Sequence, residues 1–407
     1  MTYLLGFFIF SLCIYAAGKF GNRDITFTPF SNLGIFNLHY MLAGIAFLLV
    51  IPSDFVPVFE SVRGTVLLFG LCWIGLYYGC GLELRIHQKF SSHIILFNII
   101  ETVLVFVLIS VLSIIYLYLK VKSWEYTGTA LMIGLFASFT IFRRRGILYR
   151  QTGTNHYRVL ENLLPVGNIF PIIGLAILTR LLFSAPEITL FKVTFFATHA
   201  YFLLQLIIAI LCGVLLNMLV SGTDSVDAII IVLLGGTLFI SGIVFTLSFS
   251  PLLVGTLTGV FLINSTLKRL QTLEALNITH GLVEKIFMFC LGTMITPLFT
   301  LLKEKLIYII VSAIGLYSIR AIIKYIFSSF LISRKFIASK DTSLIWIGLT
   351  GQGILASGAA LECSYNVPKF TSIFMMFIVL LVLNQLTIGF YVWYSEKKQK
   401  VKGKVNA

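Results

Sequence analysis

The sequence predicts an all-α, polytopic membrane protein of about thirteen transmembrane helices, built as two inverted repeats with crossed, discontinuous helices. Three observations lead there. Of 407 residues, 58% are hydrophobic and 11% charged, with mean hydropathy +0.99, well outside the profile of soluble domains. Apolar stretches of about 20 residues, the length that crosses a bilayer core, recur along the whole chain. Lys and Arg alternate between the loops, dense after odd-numbered stretches and sparse after even ones.

In chain order, the first span (about 3–18) lacks a basic leader and a small-residue cleavage site, so it reads as a retained helix. The second (34–51) carries Gly44, and the third (64–83) ends in a Gly-rich run before Glu83. The fourth (93–119) contains Glu101 about eight residues in, roughly 12 Å deep at 1.5 Å per residue. The fifth (126–142) has Gly134, Ser138 and Thr140 where lipid would favour Leu or Val, and Arg143, Arg144 and Arg145 follow. The sixth (162–183) holds Pro165, Gly167, Asn168 and Pro171.

Hydrocarbon tolerates interrupted backbone only against protein or a water-filled cavity, so the fifth and sixth spans predict broken helices at mid-membrane depth. Ordinary packing helices with harmless small residues remain the alternative. The seventh span (192–220) links the halves. Pro251 splits the next apolar run into spans at 226–248 and 249–264. Spans follow at 281–301, at 305–330 with Arg320 and Lys324 one turn apart, at 342–361 with Gln352, and at 369–394. Residues 1–394 form one membrane domain, and 395–407 a Lys-rich tail.

The net charge of +14 lies in short loops, which orients a membrane protein rather than binding nucleic acid. Basic residues after odd spans place the N-terminus outside and the C-terminus in the cytoplasm of a cell-membrane protein. Asn264-Ser265-Thr266 fits a glycosylation pattern but falls on the cytoplasmic side. The six cysteines show no C-x-x-C spacing and no nearby His, so they read as small buried residues and no metal site is expected.

Gly44 and Gly259 are 215 residues apart, Gly134 and Gly348 214, and Gly174 and Gly389 215. An offset of seven helices makes halves at about 1–183 and 226–394 opposite in orientation, and it makes the fifth and twelfth helices cross near the midplane.

The third span closes Gly81-Leu82-Glu83-Leu84, the second reads Leu42-Ala43-Gly44-Ile45, and the ninth opens Ser250-Pro251 and runs to Gly255 and Gly259. With Gly292-Thr293-Met294 in the tenth, this resembles the cation:proton antiporter superfamily, in its bacterial sodium/proton and potassium-efflux branch. The resemblance covers nearly the whole chain. It implies a homodimeric secondary transporter, not an enzyme, that exchanges a monovalent cation (Na+ or K+) for a proton without a cofactor.

The chain departs from the family where the chemistry would sit. The acid expected in the sixth helix is replaced by Asn168, which neither titrates nor balances a cation. The fifth helix keeps the hydroxyls Ser138 and Thr140 but no acid, and the twelfth offers Gln352-Gly353 in place of Gly-Glu. The expected pathway residues are Asn168, Ser138, Thr140, Gln352, Arg320, Glu101 and Glu83. An ionisable group inside a span is a functional candidate by default, which favours Glu101; a neutral Glu, or one reaching the interface, is its structural alternative.

Arg320 is expected to neutralise an acid or the carbonyl ends of the crossing helices. Lys324 is expected to snorkel to the interface, and Glu83 to anchor a helix end beside Arg85. The competing functional expectation keeps the fold without proton-coupled exchange, as an anion or organic-solute carrier or a non-transporting membrane sensor.

Overall fold

The computed structural model describes residues 37–51, 53–87, 92–121, 126–140, 155–182, 188–190, 193–195, 198–333, 353–366 and 371–387. The first expected span, Gln352, the basic loop after Arg143 and the Lys-rich tail lie outside the described residues. The helices are α1 (Leu38–Val50), α2 (Val56–Cys80), α3 (Ser92–Val121), α4 (Thr127–Ser138), α5 (Asn155–Leu182) and α6 (Thr198–Ser221). They continue with α7 (Val226–Thr246), α8 (Pro251–Ser265), α9 (Arg269–Leu301), α10 (Leu306–Ser333), α11 (Ile354–Asn366) and α12 (Thr371–Thr387).

The expected all-helical chain has one small exception. An antiparallel hairpin, β1 (Ile188–Leu190) with β2 (Val193–Phe195), sits between α5 and α6, with Ile188 opposite Phe195.

Six of the helices, α2, α3, α6, α7, α9 and α10, are long and apolar enough to cross a membrane. Their outward residues, such as Leu112 and Ile115 on α3, Ile207 and Leu211 on α6 and Val311 on α10, are exposed and apolar. Water disfavours such a surface and lipid favours it, so the protein is membrane-embedded. At 1.5 Å per residue the 12 residues of α4 reach about 18 Å, short of a bilayer core of about 30 Å.

Two apolar cores flank α2. The larger gathers Phe47, Phe136, Phe139, Phe287 and Phe374 from α1, α4, α9 and α12, with the link after α4. The smaller packs Trp73 and Leu76 of α2 against Leu216, Leu233 and Leu262 of α6, α7 and α8. Contacts this close need glycine. A Cβ on Gly79 of α2 would lie 2.0 Å from the Thr256 carbonyl oxygen, and one on Gly259 of α8 2.3 Å from that of Leu76. Gly44 of α1 and Gly292 of α9 form a second crossing of the same kind, 2.1 and 2.0 Å from Phe289 and Met41 carbonyl oxygens.

The split before Pro251 is present. Ser248 takes a left-handed φ of 54°. Ser250 caps α8 by accepting from the Leu253 N–H at 3.2 Å, and Pro251 is its first residue. From α6, Gln205 Oε1 accepts the Ser250 N–H at 3.3 Å, and the Tyr201 hydroxyl donates to the Leu247 carbonyl at 3.1 Å. The interrupted backbone is satisfied by neighbouring helices, as burial demands.

The sixth span is a correction. α5 continues as helix from Asn155 to Leu182 through Pro165, Gly167 and Pro171, with no interruption. Each proline removes one intrahelical hydrogen bond, and membrane helices tolerate this because surrounding protein supports the freed groups.

Candidate functional site: a buried polar cluster at the end of α4

The fifth span does end early. After Ser138 the chain turns extended at Phe139 (φ −57°, ψ 135°), which leaves the last carbonyls of α4 without intrahelical partners inside an apolar core. Leu135, Ala137 and Ser138, and Phe139 just beyond the helix, have specific partners. The Ser138 hydroxyl donates to the Leu135 carbonyl at 2.6 Å, and Arg320 of α10 donates through Nε to Ala137 at 2.8 Å and through Nη2 to Phe139 at 2.9 Å. The Thr140 hydroxyl turns back to the Ser138 carbonyl at 3.4 Å.

Asn168 acts on the next peptide. Its Oδ1 accepts the Thr140 N–H at 3.0 Å, and its Nδ2 donates to the Thr140 carbonyl at 2.6 Å. The side-chain amide thus pairs with one residue's backbone as a neighbouring strand would. Asn168 stands where the family resemblance implies an ion-binding acid, and both of its polar atoms are occupied by this clamp. Ser138, Thr140, Asn168 and Arg320 are all buried, none more than 2% exposed.

Lys324, one turn beyond Arg320, does not snorkel. It is fully buried, donates to the Thr140 hydroxyl at 2.7 Å and forms an ion pair with Oε1 of Glu101 on α3. The expectation of an interfacial lysine fails because a counter-charge lies within reach, and a paired charge can stay in the interior where an isolated one could not. Glu101 is likewise neither isolated nor at the interface. Its second oxygen, Oε2, is buried and has no hydrogen-bond donor among the described residues.

Two residues not expected from the sequence complete the cluster. Asn98 and Thr102, on either side of Glu101 along α3, are buried, and the Thr102 hydroxyl donates to the Asn98 carbonyl at 2.9 Å. Gly167 of α5 makes room for them, since a Cβ there would sit 2.7 Å from Thr102 Oγ1 and 2.9 Å from Asn98 Nδ2. Polar residues one turn apart on an otherwise apolar helix were the available signal.

Glu83 lies elsewhere. It is buried just beyond the end of α2 and pairs with Arg269 at the start of α9. Asn264 reinforces that end, accepting the Leu84 N–H at 2.9 Å and donating to the Leu82 carbonyl at 3.2 Å. Its amide joins helix ends, a structural use of the residue in the glycosylation-like pattern. Among the described residues no group of His, Cys, Asp and Glu could hold a metal ion. No protein-family model matches the chain. No curated protein matches it either.

Proposed function

We propose that the chain is a secondary transporter of the cation:proton antiporter type, with Glu101 and Lys324 as the exchanging pair and Asn168 as a structural clamp in place of the usual acid. The observation that carries this reading is Oε2 of Glu101, a buried carboxylate oxygen without a donor among the described residues, beside a buried lysine. Such an atom is an attractive point for a sodium or potassium ion. A cation at Glu101 displaces Lys324, whose ammonium then has no counter-charge and loses a proton. When the cation leaves, Lys324 regains a proton and the pair closes. One proton moves for each cation.

About thirteen helices in two inverted repeats supply the frame, with α4 and α11 as the crossed, discontinuous pair. Partner exchange between the glycine crossings supports this. An offset near 215 residues turns α1 into α8 and α9 into α2, and the two closest crossings are α1 with α9 and α8 with α2. Rocking of one repeat-built bundle against the other gives alternating access. The same reading has a homodimer in the cell membrane, the N-terminus outside and the C-terminus in the cytoplasm.

A second reading, the same fold without proton-coupled exchange, draws on how fully the cluster is engaged: Arg320 on carbonyls, Asn168 on Thr140, Lys324 on Glu101. Purified protein in vesicles under an imposed pH gradient separates the two. Addition of sodium, potassium or lithium collapses the gradient in wild type and not in Glu101→Gln. A silent wild type supports the second reading, and an undiminished Glu101→Gln overturns the assignment of exchange to the Glu101–Lys324 pair.

A further inference from the structure

The molecule holds a further buried acid that the cluster does not use. Glu362 on α11 is 3% exposed. Its Oε2 accepts the Leu252 N–H at 3.4 Å, and it also bonds to the Ser250 side chain. Ser250 is the N-cap of α8 and Leu252 lies in its first turn, where the N–H groups and dipole favour a negative group.

The same carboxyl lines a cavity of about 100 Å³ walled by α2, α7, α8 and α11. One water needs about 10–15 Å³ of such space, so several fit. The remaining walls are mainly apolar, including Leu68, Leu71, Phe245 and Phe249, and Ser248 is the other polar side chain. A metal or alkali cation requires several oxygen ligands, which these walls do not offer. A proton needs only the carboxylate and a water to arrive from.

Among the described residues, the ionisable side chains near Glu362 include the thiols of Cys72 on α2 and of Cys363 beside it on α11. α7 lines the cavity here with Val244 and Phe245, and the N-cap of α8 brings Ser250. No lysine or arginine pairs with Glu362 among the described residues.

We propose that Glu362 is a proton-exchange site fed by this cavity and separate from the Glu101–Lys324 pair. The carboxylate gains an O–H bond as a hydronium in the cavity returns to water, and the reverse step releases the proton along the same route. In both states the α8 end supplies a hydrogen-bond donor.

Infrared difference spectra of the full chain in lipid vesicles, recorded across pH, test this without reference to transport. The expected result is a titrating carbonyl band of a protonated carboxyl that is lost in Glu362→Gln and kept in Glu101→Gln. Persistence of every titrating carboxyl band in folded Glu362→Gln overturns the proposal. If that variant does not fold, Leu68→Trp decides. Narrowing the cavity slows hydrogen–deuterium exchange of the band, and an unchanged exchange rate overturns it. Failure of cation exchange in the vesicle assay leaves this result untouched, so the two ideas fall separately.

Discussion

Asn168 shows how a single side chain holds an interrupted backbone in place. Replacing it by Asp keeps an acceptor for the Thr140 N–H but removes the donor to the Thr140 carbonyl. We expect Asn168→Asp to destabilise the protein by about 1–3 kcal/mol, the cost of a buried group left unsatisfied, which thermal unfolding in detergent measures. The Glu101–Lys324 pair is more sensitive. Lys324→Met strands a buried carboxylate and is expected to cost about 3–5 kcal/mol, whereas Glu101→Gln combined with Lys324→Met recovers most of that loss. Equal destabilisation by the single and double variants would show that the charges do not interact. Glu101 and Arg320 were legible in the sequence because an ionisable residue inside an apolar stretch has few innocent explanations. The clamp was not, because the partners of Asn168 are backbone atoms 28 residues away, and a backbone partner leaves no residue type to read. Lys324 was misjudged for a related reason, since its counter-charge lies on a helix distant in sequence.

Among the elements, the glycines of α1, α2, α8 and α9 set how closely helices approach. Those positions were legible: Gly44, Gly255, Gly259 and Gly292 belong to the motifs that carried the family resemblance, and each meets backbone of a neighbouring helix. Gly79→Leu is therefore expected to prevent the α2–α8 contact and sharply lower the yield of folded protein. Gly242→Ala on α7, with nothing within 4 Å of the added carbon, is expected to be neutral or to stabilise by up to about 1 kcal/mol, because alanine favours helix. Thermal melting of both variants checks the contrast. The interruption of α4 was also legible, from hydroxyl residues where lipid would select Leu. The continuity of α5 was not. Pro165 and Pro171 read as breaks, but a proline in a helix surrounded by protein removes a hydrogen bond without having to end the helix.

Across the molecule, a larger core built on α1, α4, α9 and α12 and a smaller one on α6 and α7 meet along α2. Glu83, Arg269 and Asn264 tie the ends of α2 and α8 to the start of α9. The sequence conveyed the helical, membrane-embedded character because hydropathy is a physical requirement of insertion. It conveyed less about chemistry, because pairing across helices depends on distances that no local pattern encodes. The central claim is that cation binding at Glu101 frees a proton from Lys324. Adding sodium or potassium chloride to weakly buffered, purified protein and counting released protons tests it most directly. The account predicts release of up to about one proton per bound cation in wild type, and none in Glu101→Gln or Lys324→Met; wild-type binding without proton release, or equal release from Glu101→Gln, would contradict it.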